Sequence, residues 1–328
     1  QIKTELSPSL YVARMPSQGL KRIAVENLYW PGALKKHGIS LFHSPISYIP
    51  PGVHRPSVVT IHDLRVFHEP QTYKKTRRLF LEKMIPRSAQ KAVNIIAVSE
   101  YTKQDIKKTL GIPEEKITVI HEGIDGSQYC KPYSLKQQDI LKKRYQLPAN
   151  YILTVGHLEP RKNHIRLLEA FALLKHQYDL PQYLIIAGQE NWYYQDIYKR
   201  VRELNLEHQV RFTGYVPDED LAFLYQNADV YVQPSLFEGF GLTPLESMAA
   251  GTPVAVSNST SHPEICGNAA LYFDPFNVED MAEKINQLFN KDIQAGLKSA
   301  VEKQLSKFNW PACCNKTLKL YKTCLGQM

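Results

Sequence analysis

The sequence predicts an α/β protein made of two parallel-sheet domains. The clearest sign is the second half, where apolar runs of strand length alternate with helix-length segments across short loops. Polar residues also close several of the runs, as His62-Asp63 does after 58–61, and open α/β sheets bind ligands at strand carboxyl ends. Finally, 328 residues with 43% hydrophobic and 22% charged content are enough for two cores and argue against wholesale disorder.

Residues 1–20 show no clear period. A helix is expected over 22–36, ending near Gly38, and a short strand over 39–43. A Pro-rich loop leads to a buried strand over 58–61. A long helix over 73–91 is broken or kinked at Pro86. It is strongly basic and reads as an ordinary helix with a solvated face, with contact to an anionic membrane surface as the alternative. A strand over 94–98 follows, then a helix to 110 capped by Ser99 and stopped by Gly111, then a strand over 116–120. Periodicity lapses at 126–133, where a linker is placed. A helix over 135–145 comes next. Strands at 151–155, 183–187, 210–212, 230–232 and 254–256 then alternate with helices at 163–176, 192–204 and 218–227 and a turn-and-helix unit at 238–251. Helices over 278–289 and 310–325 end the chain. The expected domains are 1–128, 129–308 and a C-terminal helix in 309–328 packing back on the first domain.

Net charge is +8, which favours anionic partners such as nucleotide-sugars or acidic lipid head groups and is too weak to indicate nucleic acid. The five cysteines, Cys130, Cys266, Cys313, Cys314 and Cys324, form no CxxC pair and no zinc spacing, so a reducing, cytoplasmic setting is expected. No run is long and apolar enough to span a membrane, no signal peptide opens the chain, and its first residue is Gln.

Two stretches carry the chemistry. In 230–257, Glu238 and Glu246 bracket the turn Gly239-Phe240-Gly241. Thr243, Pro244 and Glu246 have capping-box spacing, and Gly251 is a helix stop. Free amides at a helix start beside flexible glycines suit an anion, and carboxylates suit vicinal hydroxyls. In 156–163, Gly156 leaves a strand and Asn163 is an expected N-cap, which sets Arg161 and Lys162 where a diphosphate would meet two cations. His62 is expected across the interdomain cleft from them. Asp218-Glu219-Asp220 resembles an Asp-x-Asp metal motif, but the start of a helix after Pro217 explains it. No dinucleotide fingerprint or P-loop is present.

On these residues the chain resembles retaining glycosyltransferases of family 4. These have two Rossmann-like domains facing each other across a cleft, the GT-B fold. Glu238 and Glu246 match a Glu-x7-Glu motif, 155–163 matches a phosphate-binding turn, and Gly214-Tyr215-Val216-Pro217 matches a segment that meets the nucleobase. Thr60-Ile61-His62-Asp63 resembles mannosyltransferase-like members that build bacterial surface polysaccharides. The resemblance implies that Arg161 and Lys162 neutralise the donor diphosphate, and that Gly241 and Leu242 offer it amides. It further implies that Glu238 holds the transferred sugar, Glu246 the ribose, and that His62 lies near the reacting carbon. Val216 would touch the base, with Gly156, Phe240 and Thr243 completing the donor site. The implied activity moves a hexosyl group, mannosyl first among candidates, from GDP-mannose or a UDP-hexose to a glycan or lipid-linked saccharide. It retains anomeric configuration and needs no metal or other cofactor. Localisation would be cytoplasmic, with a peripheral contact at the inner membrane face.

Three departures stand out. His157 follows Gly156 where Arg is common, Glu122 stands before Gly123 where Asn is common, and the front of the first domain looks incomplete. The last motivates one rival, a catalytically incomplete donor-binding or partner subunit. The other rival is a sugar-nucleotide epimerase on the same fold.

Overall fold

The computed structural model describes residues 20–191 and 193–326; expectations for 1–19 and for Trp192 lie outside the described residues. The first domain runs α1 (Leu20–Lys36), β1 (Phe42–Ser44), β2 (Ser57–Ile61), α2 (Arg65–His68), α3 (Lys75–Lys91), β3 (Asn94–Ala97), α4 (Glu100–Leu110) and β4 (Ile117–Val119). Its described strands pair in parallel in the order β1-β2-β3-β4. β2 is buried along its whole length, so it reads as an unbroken apolar run. Pro86 lies inside a continuous α3, and Met84, Ile85, Ser88 and Ala89 form that helix's buried face. Ser99 caps α4 by accepting from the Thr102 amide, and Gly111 ends it at φ 65°.

The second domain runs α5 (Leu135–Arg144), β5 (Tyr151–Val155), α6 (His164–Tyr178), β6 (Tyr183–Ala187), α7 (Tyr194–Glu203), β7 (Val210–Gly214), α8 (Asp218–Asn227), β8 (Val230–Gln233), α9 (Leu242–Ala249), β9 (Val254–Ser257), α10 (His262–Cys266), β10 (Leu271–Phe273), α11 (Val278–Gln287) and α12 (Lys291–Leu305). Its sheet order is β10-β9-β8-β5-β6-β7, with parallel pairs throughout. Successive strand residues go to opposite faces, as the pleat requires. Leu153, Ile185, Tyr231 and Val254 join a core beneath α8 and α9, while Ile152, Leu184, Ile186 and Val230 join a core beneath α6, α7 and α11. The chain moves outward from β5 through β6 to β7 and then returns to β8 on the other side of β5. The loops leaving β5 and β8 therefore part at a topological switch point, where a crevice opens.

The last described helix is α13 (Trp310–Gly326), whose Leu320 and Cys324 pack with Val58, Ile96 and Ile120 of the first domain. All five cysteines are free.

Two expected caps are corrected. Thr243 is not an N-cap and no capping box forms, because Gly241 takes the cap position at φ 107° and Glu246 bonds elsewhere. Asn163 stands at the α6 N-cap position with φ 57°, but its side chain does not cap. Its amide donates to the Pro234 and Pro275 carbonyls and ties the β8 loop to the β10 loop. Elements α2, α10, β10 and α12 have no counterpart among the elements expected from the sequence.

Candidate active site

The loop after β5 and the loop after β8 meet at the switch point. Lys162 Nζ lies 2.8 Å from Glu238 Oε1, and an Arg161 guanidinium nitrogen lies 2.6 Å from Glu238 Oε2. Lys162 is buried and runs against Gly156, where an added Cβ would come within 2.8 Å of its Cε. Glycine at 156 thus makes room for the lysine. Burial pushes the Glu238 carboxyl up, but Lys162 and Arg161 outweigh it and hold the group well below the usual carboxylate range. Arg161 also pairs with Glu159 at 2.9 Å, and Arg65 reaches Glu159 from the first domain at 3.2 Å. Three cations therefore face two carboxylates.

The Gly239-Phe240-Gly241 turn is braced from behind. The Glu238 amide donates to Thr260 Oγ1 at 3.1 Å, and Ser261 Oγ donates to the Phe240 carbonyl at 2.6 Å. His262 is buried behind Gly241, and burial pulls it down to about 4, so it sits neutral with Nδ1 2.8 Å from Ser257 Oγ.

The first domain closes on this turn. Ser99 Oγ donates to the Gly239 carbonyl at 2.7 Å. A Cβ on Gly239 would lie 1.9 Å from the His62 carbonyl oxygen, so only glycine permits the approach. Further out, Glu264 accepts from His121 Nε2 at 2.6 Å and from the Glu100 and Tyr101 amides that open α4.

The open pocket between the two walls, about 250 Å³, is lined by His62, Lys162, Glu238, Phe240, Gly241, Leu242 and Thr243, together with Asp63, Val98, Glu122 and Gly239. Of the other expected residues, Arg161 and Gly156 adjoin it through Glu238 and Lys162. Val216 sits in the core outside it, and Glu246 is also outside, bonded to the Tyr225 hydroxyl at 2.9 Å. Burial pushes the Glu246 carboxyl up. The Phe240 ring packs edge-on against Phe308 at 5.5 Å and lies 6.1 Å from the His121 ring of the first domain, so that side chain also belongs to the domain interface. A larger hollow of about 800 Å³ lies between α9 and α12 and contains none of these charged groups.

Sequence reasoning gave no role to Glu159, Arg65, Glu122, Thr260, Ser261 or His262. The cluster at 257–261 carried a readable signal, since a Ser/Thr run after a strand marks a loop with side-chain-to-backbone bonds. Asp218-Glu219-Asp220 forms the first turn of α8, and Asp220 pairs with Arg144 at 2.7 Å and Tyr145 at 2.6 Å.

A sequence model for "Glycosyl transferases group 1" matches residues 137–304, and one for "Glycosyltransferase Family 4" matches residues 9–128. The chain belongs to this glycosyltransferase family. Its relatives include the O-antigen chain mannosyltransferase B of Escherichia coli, 34% identical over 292 residues, or 88% of this chain and 76% of that one. The serotype-specific mannosyltransferase WbdA of Escherichia coli is 31% identical over 67% of this chain, but that match spans only 28% of the relative. Among solved structures, Anabaena Alr3699/HepE in complex with UDP-glucose superposes with a TM-score of 0.73 at 18% identity, covering 94% of this chain and 85% of that one. The group 1 glycosyltransferase described here thus has the GT-B fold, two parallel-sheet domains about a cleft.

Proposed function

We propose that this glycosyltransferase moves a hexosyl group, mannosyl first, from a nucleotide-diphosphate sugar to a glycan or lipid-linked saccharide with retention of anomeric configuration. The observation that carries the reading is the Lys162–Glu238–Arg161 cluster at the switch point, closed over by His62. A donor diphosphate would compete with Glu238 for the two cations. Glu238, released from them, would accept from the hydroxyls of the transferred sugar. The first amides of α9, at Gly241 and Leu242, would add donors to the same anion. Breaking the anomeric C–O bond builds positive charge on the sugar and negative charge on the departing diphosphate, and preset cations at the second are the main electrostatic contribution. Retention follows if the acceptor hydroxyl attacks the face the diphosphate leaves, passing its proton to a phosphate oxygen. Arg161 and Lys162 meet the leaving charge, so the reading requires no divalent cation. Glu246 would serve the ribose and Val216 the base.

The mannosyl and polysaccharide assignment draws support from the O-antigen relative, and the nucleotide-sugar donor from the UDP-glucose complex on the same fold. Attachment at the inner membrane face would fall to the basic α3, whose Leu79 is exposed.

The test pairs binding with turnover. Thermal melting against GDP, UDP and ADP should show one diphosphate raising Tm, since a ligand of the native state must stabilise it. With the matching sugar donor, nucleoside diphosphate should appear only when acceptor is present, and NMR of the product should show the donor's anomeric configuration. Nucleotide release without acceptor, or interconversion of the donor sugar alone, would overturn the proposal.

A further inference from the structure

One pairing in the cleft follows from neither motif. His62 Nδ1 lies 3.1 Å from Glu122 Oε1, and its Nε2 lies 2.9 Å from the Pro45 carbonyl oxygen. A carbonyl oxygen and a carboxylate oxygen both accept hydrogen bonds, so both ring nitrogens must donate, and an imidazole with two N–H groups is a cation. We propose that Glu122 is a positioning residue that fixes His62 as an imidazolium on the cleft wall facing Lys162 and Glu238.

The surroundings agree. The Glu122 hydrogen bond raises the His62 pKa against the opposing effect of burial, with Asp63 adding in the same direction. His43, behind on β1, bonds Thr60 Oγ1 and the Tyr321 hydroxyl, groups that serve as donor or acceptor, and burial takes it down to about 4. It stays neutral and leaves His62 the positive ring. Arg65 is turned toward Glu159, and across the cavity Lys162 and Glu238 are paired with each other. From α13 the Cys313 thiol also faces Glu122, but burial and that carboxylate both push it up, so it stays neutral and leaves His62 as the ion-pair partner of Glu122 Oε1.

Its use in catalysis rests on the donor-site reading above. Both N–H groups are engaged, so the ring presents a positive carbon edge to the cavity rather than a free donor. It adds a third positive group to the walls that a diphosphate would meet, and Glu122 holds it there. A neutral amide at position 122 would carry no charge with which to hold a second proton on the ring.

Two readouts on the full chain test this. Imidazole 15N NMR of the substrate-free protein follows His62, its signals assigned by their loss in His62→Gln. Wild-type His62 should titrate above the ordinary value of about 6.5. In Glu122→Gln, which keeps an acceptor oxygen, it should titrate roughly one unit lower, a tenfold change in the proton equilibrium. If Glu122→Gln fails to fold, Glu122→Asp keeps the charge on a shorter arm, and His62 should then titrate between its wild-type value and the ordinary one. In the transfer assay, the alkaline limb of kcat/KM should move to lower pH in Glu122→Gln. Wild-type titration at or below the ordinary value, no change on substitution, or an unmoved alkaline limb would each overturn the proposal. The titration needs no donor, so failure of the proposed reaction leaves it readable.

Discussion

The two walls of the cleft are built on opposite principles. The second domain presents buried charges already neutralised by one another, with Lys162 and Arg161 gripping Glu238 and Glu159 gripping Arg161. The first domain presents a half-exposed His62, held by Glu122 and one carbonyl and joined to its partner domain at Gly239. The buried wall has its electrostatics set by folding. The other wall is held within its own domain and reaches the site only where the domains meet. Rigid charge placement belongs where a leaving group develops charge, and adjustable contact belongs where substrates enter.

The largest effect should come from breaking the buried wall. Lys162→Ala leaves Glu238 with one cation and removes a positive group from the leaving-diphosphate position. Transfer should fall by about a thousandfold or more. Losing one partner of a buried pair also destabilises, by about 3 kcal/mol or more, so activity is to be read well below the variant's Tm. Glu238→Ala should abolish transfer while diphosphate binding survives, because the cations are then unoccupied. Calorimetric titration with the diphosphate separates the two variants, and wild-type transfer in either would refute the assigned roles.

Gly239→Ala attacks the junction instead. Its Cβ would strike the His62 carbonyl at 1.9 Å, so the domains must stay apart by at least the missing clearance. Misplacement on that scale should lower kcat/KM by about ten- to a hundredfold, with little change in the stability of either core. Small-angle scattering should report a larger radius of gyration than wild type. An unchanged radius with full activity would show that the close approach is dispensable.

This division also explains what was legible in the sequence. The second sheet was readable because its strands are short apolar runs bracketed by Gly and Pro, and because its cations and carboxylates sit in local motifs. Helix α12 was legible but missed: Ile293, Leu297, Val301 and Leu305 recur every fourth residue, and the last three pack part-buried on the two cores, so an apolar stripe does mark it. Strand β10 is three residues long and carries no period. The Thr243 capping box had correct spacing, but a left-handed glycine two residues earlier took the cap. The His62–Glu122 and Arg65–Glu159 contacts join residues 60 and 94 apart, and local periodicity cannot encode such pairings.

A smaller effect belongs to the latch at the rim of the junction. Glu264 binds His121 and two α4 amides, which together outweigh burial and hold its carboxyl below the ordinary range. A group with a depressed folded pKa contributes stability above its unfolded pKa and loses it as pH falls through the folded one. Wild type should therefore lose about 1 kcal/mol on acidification below the ordinary carboxylate range, and Glu264→Gln should lack that part of the slope. Urea unfolding at pH 7 and at pH 4 measures it. Equal slopes in both proteins would mean the latch does not form.

The smallest effect is predicted for Asp220→Asn, and it bears on the chemistry of the buried wall. Asp220 belongs to a sequence that imitates a metal site, yet its Oδ2 is committed to Arg144 and the Tyr145 hydroxyl, and it does not line the cleft. Arg144 is largely exposed, so water screens the ion pair and its loss should barely move Tm. If Arg161 and Lys162 meet the leaving charge, the variant should keep wild-type transfer, and dialysis against a chelator should leave both proteins active. If a divalent cation does that work from Asp218 and Asp220, the substitution and the chelator should each stop transfer while Tm barely moves. The comparison between a wall charged by its own side chains and one that borrows an ion turns on this substitution, because it removes a carboxylate without touching Lys162, Arg161 or Glu238.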